Sequence, residues 1–155
     1  MEMRQLQLGD LGDLLSLYKH LHSPDTPLAP ETVAQSVWRE LMSSPNYRYY
    51  GAYVDGDLVS SCTLTVIPNL TRSCRPYGVI ENVVTHVDHR RKGYATALLR
   101  AALADAWTAH CYKVMLLTGR KDEGTFRFYE AAGFSRNEKQ AFVAKPAESS
   151  VVPGA

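Results

Sequence analysis

The sequence predicts an α/β fold built on one mixed sheet, with elements in the order β-α-α-β-β-β-α-β-α-β and helices on the sheet faces. Three observations carry that prediction. Apolar residues recur at helical spacing in some stretches, and in others they alternate or run together with Val, Ile and Tyr. Gly and Pro punctuate the boundaries between those stretches. The chain has 155 residues, the length of one domain, which buries about two-thirds of its unfolded surface without a metal or disulfide staple.

Met3–Leu8 alternates enough for a first strand. Asp10 can cap a helix whose apolar positions are Leu14, Leu15, Leu17, Tyr18 and Leu21. Pro24, Pro27 and Pro30 break the chain, and a second helix runs from Glu31 with Val33, Val37, Trp38 and Leu41 on one face. Tyr47–Val54 is aromatic and β-branched, and Asp55-Gly56 supplies a hairpin turn into Leu58–Ile67. Pro68–Pro76 reads as a loop and Val79–Val87 as another strand. Gly93–His110 is a helix with Leu98, Leu99, Ala102, Leu103 and Ala106 on its apolar face. Lys113–Leu117 is short and apolar, as a central strand should be, and Phe126–Ala132 is a helix closed by Gly133. Gln140–Ala144 gives a last strand, so parallel crossovers are expected around both late helices. One domain over 1–145 and a flexible tail over 146–155 complete the expected organisation.

Composition narrows the function classes. Seventeen basic residues against sixteen acidic leave a net charge of +1, which lacks the basic surplus of a nucleic-acid binder. No apolar run approaches the roughly 20 residues that span a bilayer, and the N-terminus has no signal-peptide core. A cytoplasmic protein with neither nucleic-acid nor membrane partner is the expectation. Cys62, Cys74 and Cys111 form no CxxC pair and have no metal-ligand spacing with the five histidines. They read as three reduced thiols, at least two of them in strands, and no metal is expected.

The chemistry concentrates where strand Val79–Val87 meets the following helix, through Asp88-His89-Arg90-Arg91-Lys92-Gly93-Tyr94-Ala95-Thr96. A basic, glycine-bearing turn at a helix N-terminus is an anion site. Unpaired N–H groups point outward, the helix dipole favours negative charge, and Gly93 lets phosphate approach the backbone. The run is neither a Walker A loop nor the three-glycine dinucleotide fingerprint. On local chemistry alone, a plain helix start with a solvated basic face suits it equally.

Arg90-Arg91-Lys92-Gly93-Tyr94-Ala95 resembles the R/Q-x-x-G-x-G/A signature of the GNAT superfamily of acetyl-CoA-dependent N-acetyltransferases. Phe128-Tyr129-Glu130-Ala131-Ala132-Gly133-Phe134 resembles that family's second hallmark, F-Y-x-x-x-G-F. Val79-Ile80-Glu81-Asn82-Val83-Val84, Ser73-Cys74 and Cys111-Tyr112-Lys113 are similar in detail to glucosamine-6-phosphate N-acetyltransferases. Asp88 stands where many members carry proline, and Ala95 where glycine is commoner. Gln140–Lys145 offers only Lys145 where that subfamily has a phosphate-holding arginine.

The resemblance implies the GNAT fold with splayed central strands, acetyl-CoA as co-substrate, and a small-molecule amine such as an amino sugar as acceptor. A peptide amine acceptor, a silent acyl-CoA-binding module and a nucleotide-phosphate binder are the alternatives. It further implies Glu81 as general base; as an acid within an otherwise apolar strand Glu81 reads as buried, and pairing with Arg72 or Arg75 is the alternative. Tyr129 is implied as general acid. Val83, Val84 and Thr85 would bond the pantetheine arm, and Arg90, Arg91, Lys92, Gly93, Tyr94, Ala95 and Thr96 would hold the pyrophosphate. Asp122 falls where the family carries an asparagine touching that arm. His86 and His89 read as surface residues flanking the site, and a homodimer through the last strand is possible by the same resemblance.

Overall fold

The computed structural model describes residues 1–21 and 29–146. Strands β1 (Glu2–Gln5), β2 (Tyr47–Val54), β3 (Asp57–Ile67), β4 (Tyr77–Thr85) and β5 (Val114–Leu116) form one sheet in sequential order. The first four pair antiparallel; β5 joins β4 in parallel, because a crossover through a helix returns the chain in the same direction. The helices are α1 (Leu11–Tyr18), α2 (Glu31–Ser43), the short turn α3 (Thr71–Cys74), α4 (Tyr94–Thr108) and α5 (Glu123–Ala131).

Alternation along the strands divides two cores. One face carries Tyr50, Cys62, Leu64 and Ile80 against Leu98, Leu99, Ala102 and Ala106 of α4. The opposite face carries Tyr49, Tyr53, Leu58 and Val84 against Leu14 and Leu17 of α1 and Trp38 of α2. Leu98 and Leu99 are fully buried, each contributing about 2 kcal/mol over an exposed position. Trp38 Nε1 donates to the Leu8 carbonyl at 3.0 Å, which ties α2 to the first turn of the domain. Asp55 (φ 53°) and Gly56 (φ 92°) both take the left-handed region, as a two-residue hairpin whose twist matches its strands requires.

Several expectations need correction. Among the described residues, Gln140–Ala144 is not a strand: Phe142 and Val143 are 92% and 72% exposed and pair with nothing. Local β propensity makes no ladder without an edge to pair with, so only the α4 crossover closes on a parallel strand. The α1 cap differs too. Asp10 makes no cap bond to α1; its carboxylate accepts from Arg4 at 2.7 and 2.8 Å and from the Gln7 N–H at 2.7 Å. Of the three cysteines only Cys62 is in a strand; Cys111 precedes β5 and Cys74 lies in α3. The Pro68–Pro76 loop contains that turn, with Arg72, Ser73 and Cys74 all at positive φ. His22, Pro24, Pro27 and residues 147–155 of the expected tail lie outside the described residues.

Candidate active site

The β4–β5 ladder ends at Ile80 opposite Leu116. Beyond that pair the strands separate, and the main chain of β4 from Glu81 to Thr85 has no β5 partner. A cleft of about 740 Å³ opens there, floored by Phe128 and Tyr129 of α5 and reaching the N-terminus of α4. Main-chain groups on a free strand edge must find another partner, and a ligand's amides can supply it.

A second irregularity sits on the same strand. Thr63 of β3 pairs with Glu81 and Ser61 with Val84, so Cys62 faces both Asn82 and Val83. This is a β-bulge, and Asn82 adopts φ 53° to make it. The sequence Glu81-Asn82-Val83-Val84 reads as uninterrupted strand; an asparagine in the middle was the one available hint, since asparagine tolerates the left-handed region better than its neighbours.

At the far end of the cleft, α4 begins on Gly93 (φ 84°) with no side-chain cap. The Gly93 carbonyl accepts from the Ala97 N–H, leaving the N–H groups of Tyr94, Ala95 and Thr96 without helical partners. With the positive end of a 15-residue helix behind them, they form an anion cradle. Arg91 lines the same space, itself at φ 61°.

The structure brings nearly all the expected site residues together. Glu81, Val83, Val84, Thr85, Arg90, Arg91, Gly93, Tyr94, Ala95, Thr96, Asp122 and Tyr129 line the one cleft; Lys92 does not. Arg90 acts as a clamp, since Nε donates to the Thr85 carbonyl at 3.3 Å and Nη2 to the His20 carbonyl at 3.5 Å. The Thr85 carbonyl is thereby occupied. Asp122 caps α5, with Oδ1 accepting from the Thr125 N–H at 2.9 Å and Oδ2 from the Thr125 hydroxyl at 2.8 Å. Those bonds hold its carboxyl below the usual carboxylate range.

Glu81 is exposed, contrary to the expected burial, because its side of β4 lies where β5 has diverged. Among the described residues it forms no ion pair. Arg75, its suggested partner, donates instead to the carbonyls of His110 and Cys111, and Arg72 stacks on Tyr112. Tyr129 is half-buried between Phe128 (ring centroids 4.7 Å) and Phe134 (6.3 Å, edge-on). Burial pushes its phenol above the ordinary value of 10, Arg120 opposes that rise and Glu81 adds to it. A phenol held neutral in this way can donate a proton. His86 and His89 are partly exposed: the His20 and His86 rings lie 4.1 Å apart and tilted, and His89 lies 5.7 Å from His86 and 6.2 Å from Tyr94. No cluster of metal ligands occurs among the described residues.

Residues 14–134 match the family model for the acetyltransferase (GNAT) family. The chain is 30% identical to a glucosamine 6-phosphate N-acetyltransferase from Trypanosoma brucei brucei, over 90% of this chain and 92% of that protein. A solved structure from Agrobacterium tumefaciens str. C58, described provisionally as an acetyltransferase, superposes with a TM-score of 0.85 at 39% identity, covering 94% of this chain and all of that one. A Trypanosoma brucei acetyltransferase structure superposes with a TM-score of 0.75 at 29% identity, covering 93% and 99%. A strand edge opened beside an uncapped helix N-terminus, in a chain matched across its whole core, places this protein in the GNAT family as an acetyl-CoA-dependent N-acetyltransferase.

Proposed function

We propose that this enzyme acetylates the primary amine of a small molecule, an amino sugar or a close relative, by direct attack on acetyl-CoA. One observation carries the reading: a single cleft holds an anion cradle at one end and an acid–base pair, Tyr129 and Glu81, elsewhere in its lining. The N–H groups of Tyr94, Ala95 and Thr96 bind the diphosphate, assisted by Arg91. The free edge of Val83 and Val84 bonds the pantetheine amides and orients the thioester. Glu81 takes a proton from the acceptor nitrogen as it attacks the thioester carbon; exposure places its carboxylate within reach of an incoming amine. As the C–S bond breaks, Tyr129 gives its phenolic proton to the sulfur, and solvent exchange resets both groups. Neither step calls for a metal. The relationship to a glucosamine 6-phosphate enzyme supports an amino-sugar acceptor. Arg72 and Arg75 are engaged elsewhere, and Arg120 is a cation lining the cleft that can meet an anionic one.

The test is thiol release from acetyl-CoA across amino sugars with and without phosphate, polyamines, aminoglycosides and peptides, with Glu81→Gln and Tyr129→Phe alongside. An amino sugar should lead the panel. Glu81→Gln should lose about a hundredfold in kcat/KM, recovering partly at high pH as the free amine deprotonates itself. Wild-type turnover in Glu81→Gln removes the base assignment, and a peptide at the head of the panel removes the acceptor class.

A homodimer has one supporting observation: the edge strand β5 is half-exposed, and Phe142 and Val143 stand free to add to it from a second copy. Sedimentation of the full chain against one ending at Lys139 tests this; equal masses refute it.

A further inference from the structure

Ser60 of β3 and Thr85 of β4 pair directly across the ladder, and their hydroxyls meet there. Ser60 is fully buried, and its Oγ makes two contacts, to the Val84 carbonyl at 2.8 Å and to Thr85 Oγ1 at 2.8 Å. A serine hydroxyl has one proton, and a carbonyl has none to give. Ser60 therefore donates to Val84, and the proton between the two hydroxyls comes from Thr85. That commits the Thr85 proton inward and leaves its oxygen with lone pairs only, on a residue that lines the cleft. The Thr85 carbonyl is already engaged, since it accepts from Arg90 Nε at 3.3 Å. The side-chain oxygen is thus the acceptor this residue has left to offer. Its register is held past the pair as well, where the His86 N–H donates to the Val59 carbonyl at 2.9 Å.

We propose that the Thr85 hydroxyl accepts from an amide N–H of the coenzyme's pantetheine arm, and that Ser60 is the positioning residue that sets this polarity. The inference rests on the reading that the arm lies along the free edge of β4. An unanchored threonine hydroxyl rotates, and in some of its positions it turns its proton toward the ligand's N–H, so that donor faces donor. The chain from Thr85 through Ser60 to the Val84 carbonyl removes those positions before the coenzyme arrives, which is preorganisation of one hydrogen bond. Ser60 has no exposed surface and touches no ligand; it acts only through Thr85.

The test is a double-mutant cycle read by calorimetric titration with acetyl-CoA. Thr85→Val keeps the shape and removes the hydroxyl; it should weaken acetyl-CoA about fivefold, the size of one neutral hydrogen bond. Thr85→Ser, which restores a hydroxyl, should recover most of that loss. Ser60→Ala should weaken acetyl-CoA about threefold in the Thr85 background and raise its KM more than it lowers kcat. In the Thr85→Val background the same Ser60→Ala change should cost less than 1.5-fold, because no hydroxyl remains to orient. ADP carries a diphosphate without the arm, so its affinity should be the same in all of these variants. Equal losses from Ser60→Ala in both backgrounds would overturn the proposal, since a role in packing β3 against β4 is indifferent to the Thr85 oxygen. Thr85→Val binding acetyl-CoA as tightly as wild type, or ADP weakening in step with acetyl-CoA, would overturn it too. Failure of the underlying reading looks different: acetyl-CoA added to the ¹⁵N-labelled wild-type protein would then leave the amide signals of residues 81–85 unmoved, and the proposal would fall with it.

Discussion

Replacing Gly93 by alanine separates the stability role of that residue from its binding role. At φ 84° an L-residue costs about 1–2 kcal/mol, and the added Cβ would meet no heavy atom within 4 Å, so no clash enlarges that cost. For a domain of this size each kcal/mol lowers Tm by about 2–4 °C, which gives a fall of roughly 2–8 °C. The open space into which the Cβ projects is also the space through which a phosphate would approach the N–H groups of Tyr94, Ala95 and Thr96. Losing one charge-assisted hydrogen bond there is worth about 1.5–3 kcal/mol, or roughly ten- to a hundredfold in Kd. Urea unfolding measures the first effect, and calorimetric titration with acetyl-CoA well below the melting point measures the second. Saturating acetyl-CoA should restore most of kcat. A folded Gly93→Ala protein that binds acetyl-CoA as tightly as wild type would refute the assignment of the α4 N-terminus to the diphosphate.

Three further outcomes are expected. Asp10 is held at about 2 mainly by the hydrogen bonds from Arg4, with the Gln7 N–H adding to them, so its stabilisation is complete above about pH 4 and fades as pH falls toward 2. Asp10→Asn should therefore cost about 1 kcal/mol in urea melts at pH 6, the partly exposed Arg4 screening the full shift, and the difference from wild type should vanish near pH 2. Burial pushes the Cys62 thiol up to about 12 and also raises Cys111, whereas Cys74 is exposed. Iodoacetamide at pH 8 should thus modify Cys74 alone in the native protein, and peptide mapping that finds modified Cys62 before unfolding would contradict the packing of β3. Because burial raises the Tyr129 phenol above 10, kcat should show no alkaline decline from Tyr129 below that pH, and Tyr129→Phe should lower kcat about a hundredfold with little change in the KM for acetyl-CoA. A decline near neutral pH that disappears in Tyr129→Phe would show that the phenol is not held neutral.

What could be read from the chain alone is what short-range rules govern. Strand Tyr47–Val54 follows from its own residue types, and the Asp55-Gly56 hairpin from the two positive φ angles it needs. Gly93 starts a helix and Gly133 (φ 107°) ends one, since each position calls for a residue without a Cβ. The anion cradle was legible for the same reason: Arg91, Gly93, Tyr94, Ala95 and Thr96, which build it, lie within one short run. The roles proposed for Glu81 and Tyr129 are legible only through resemblance, because nothing local marks either residue. The α5 helix starts three residues before Phe126, and the Asp122–Thr125 cap explains the shift.

Tertiary structure decided the rest, because strands take their meaning from partners distant in sequence. Whether Gln140–Ala144 pairs depends on a free edge, which its own composition does not report. Whether Glu81 is buried depends on where β5 leaves β4. The bulge at Asn82 exists only as a mismatch with Cys62, twenty residues earlier, and Arg90 became a clamp only when the end of α1 came beside the end of β4. Local chemistry offers a turn whose free N–H groups can receive an anion; the divergence of two strands makes that turn one end of a cleft.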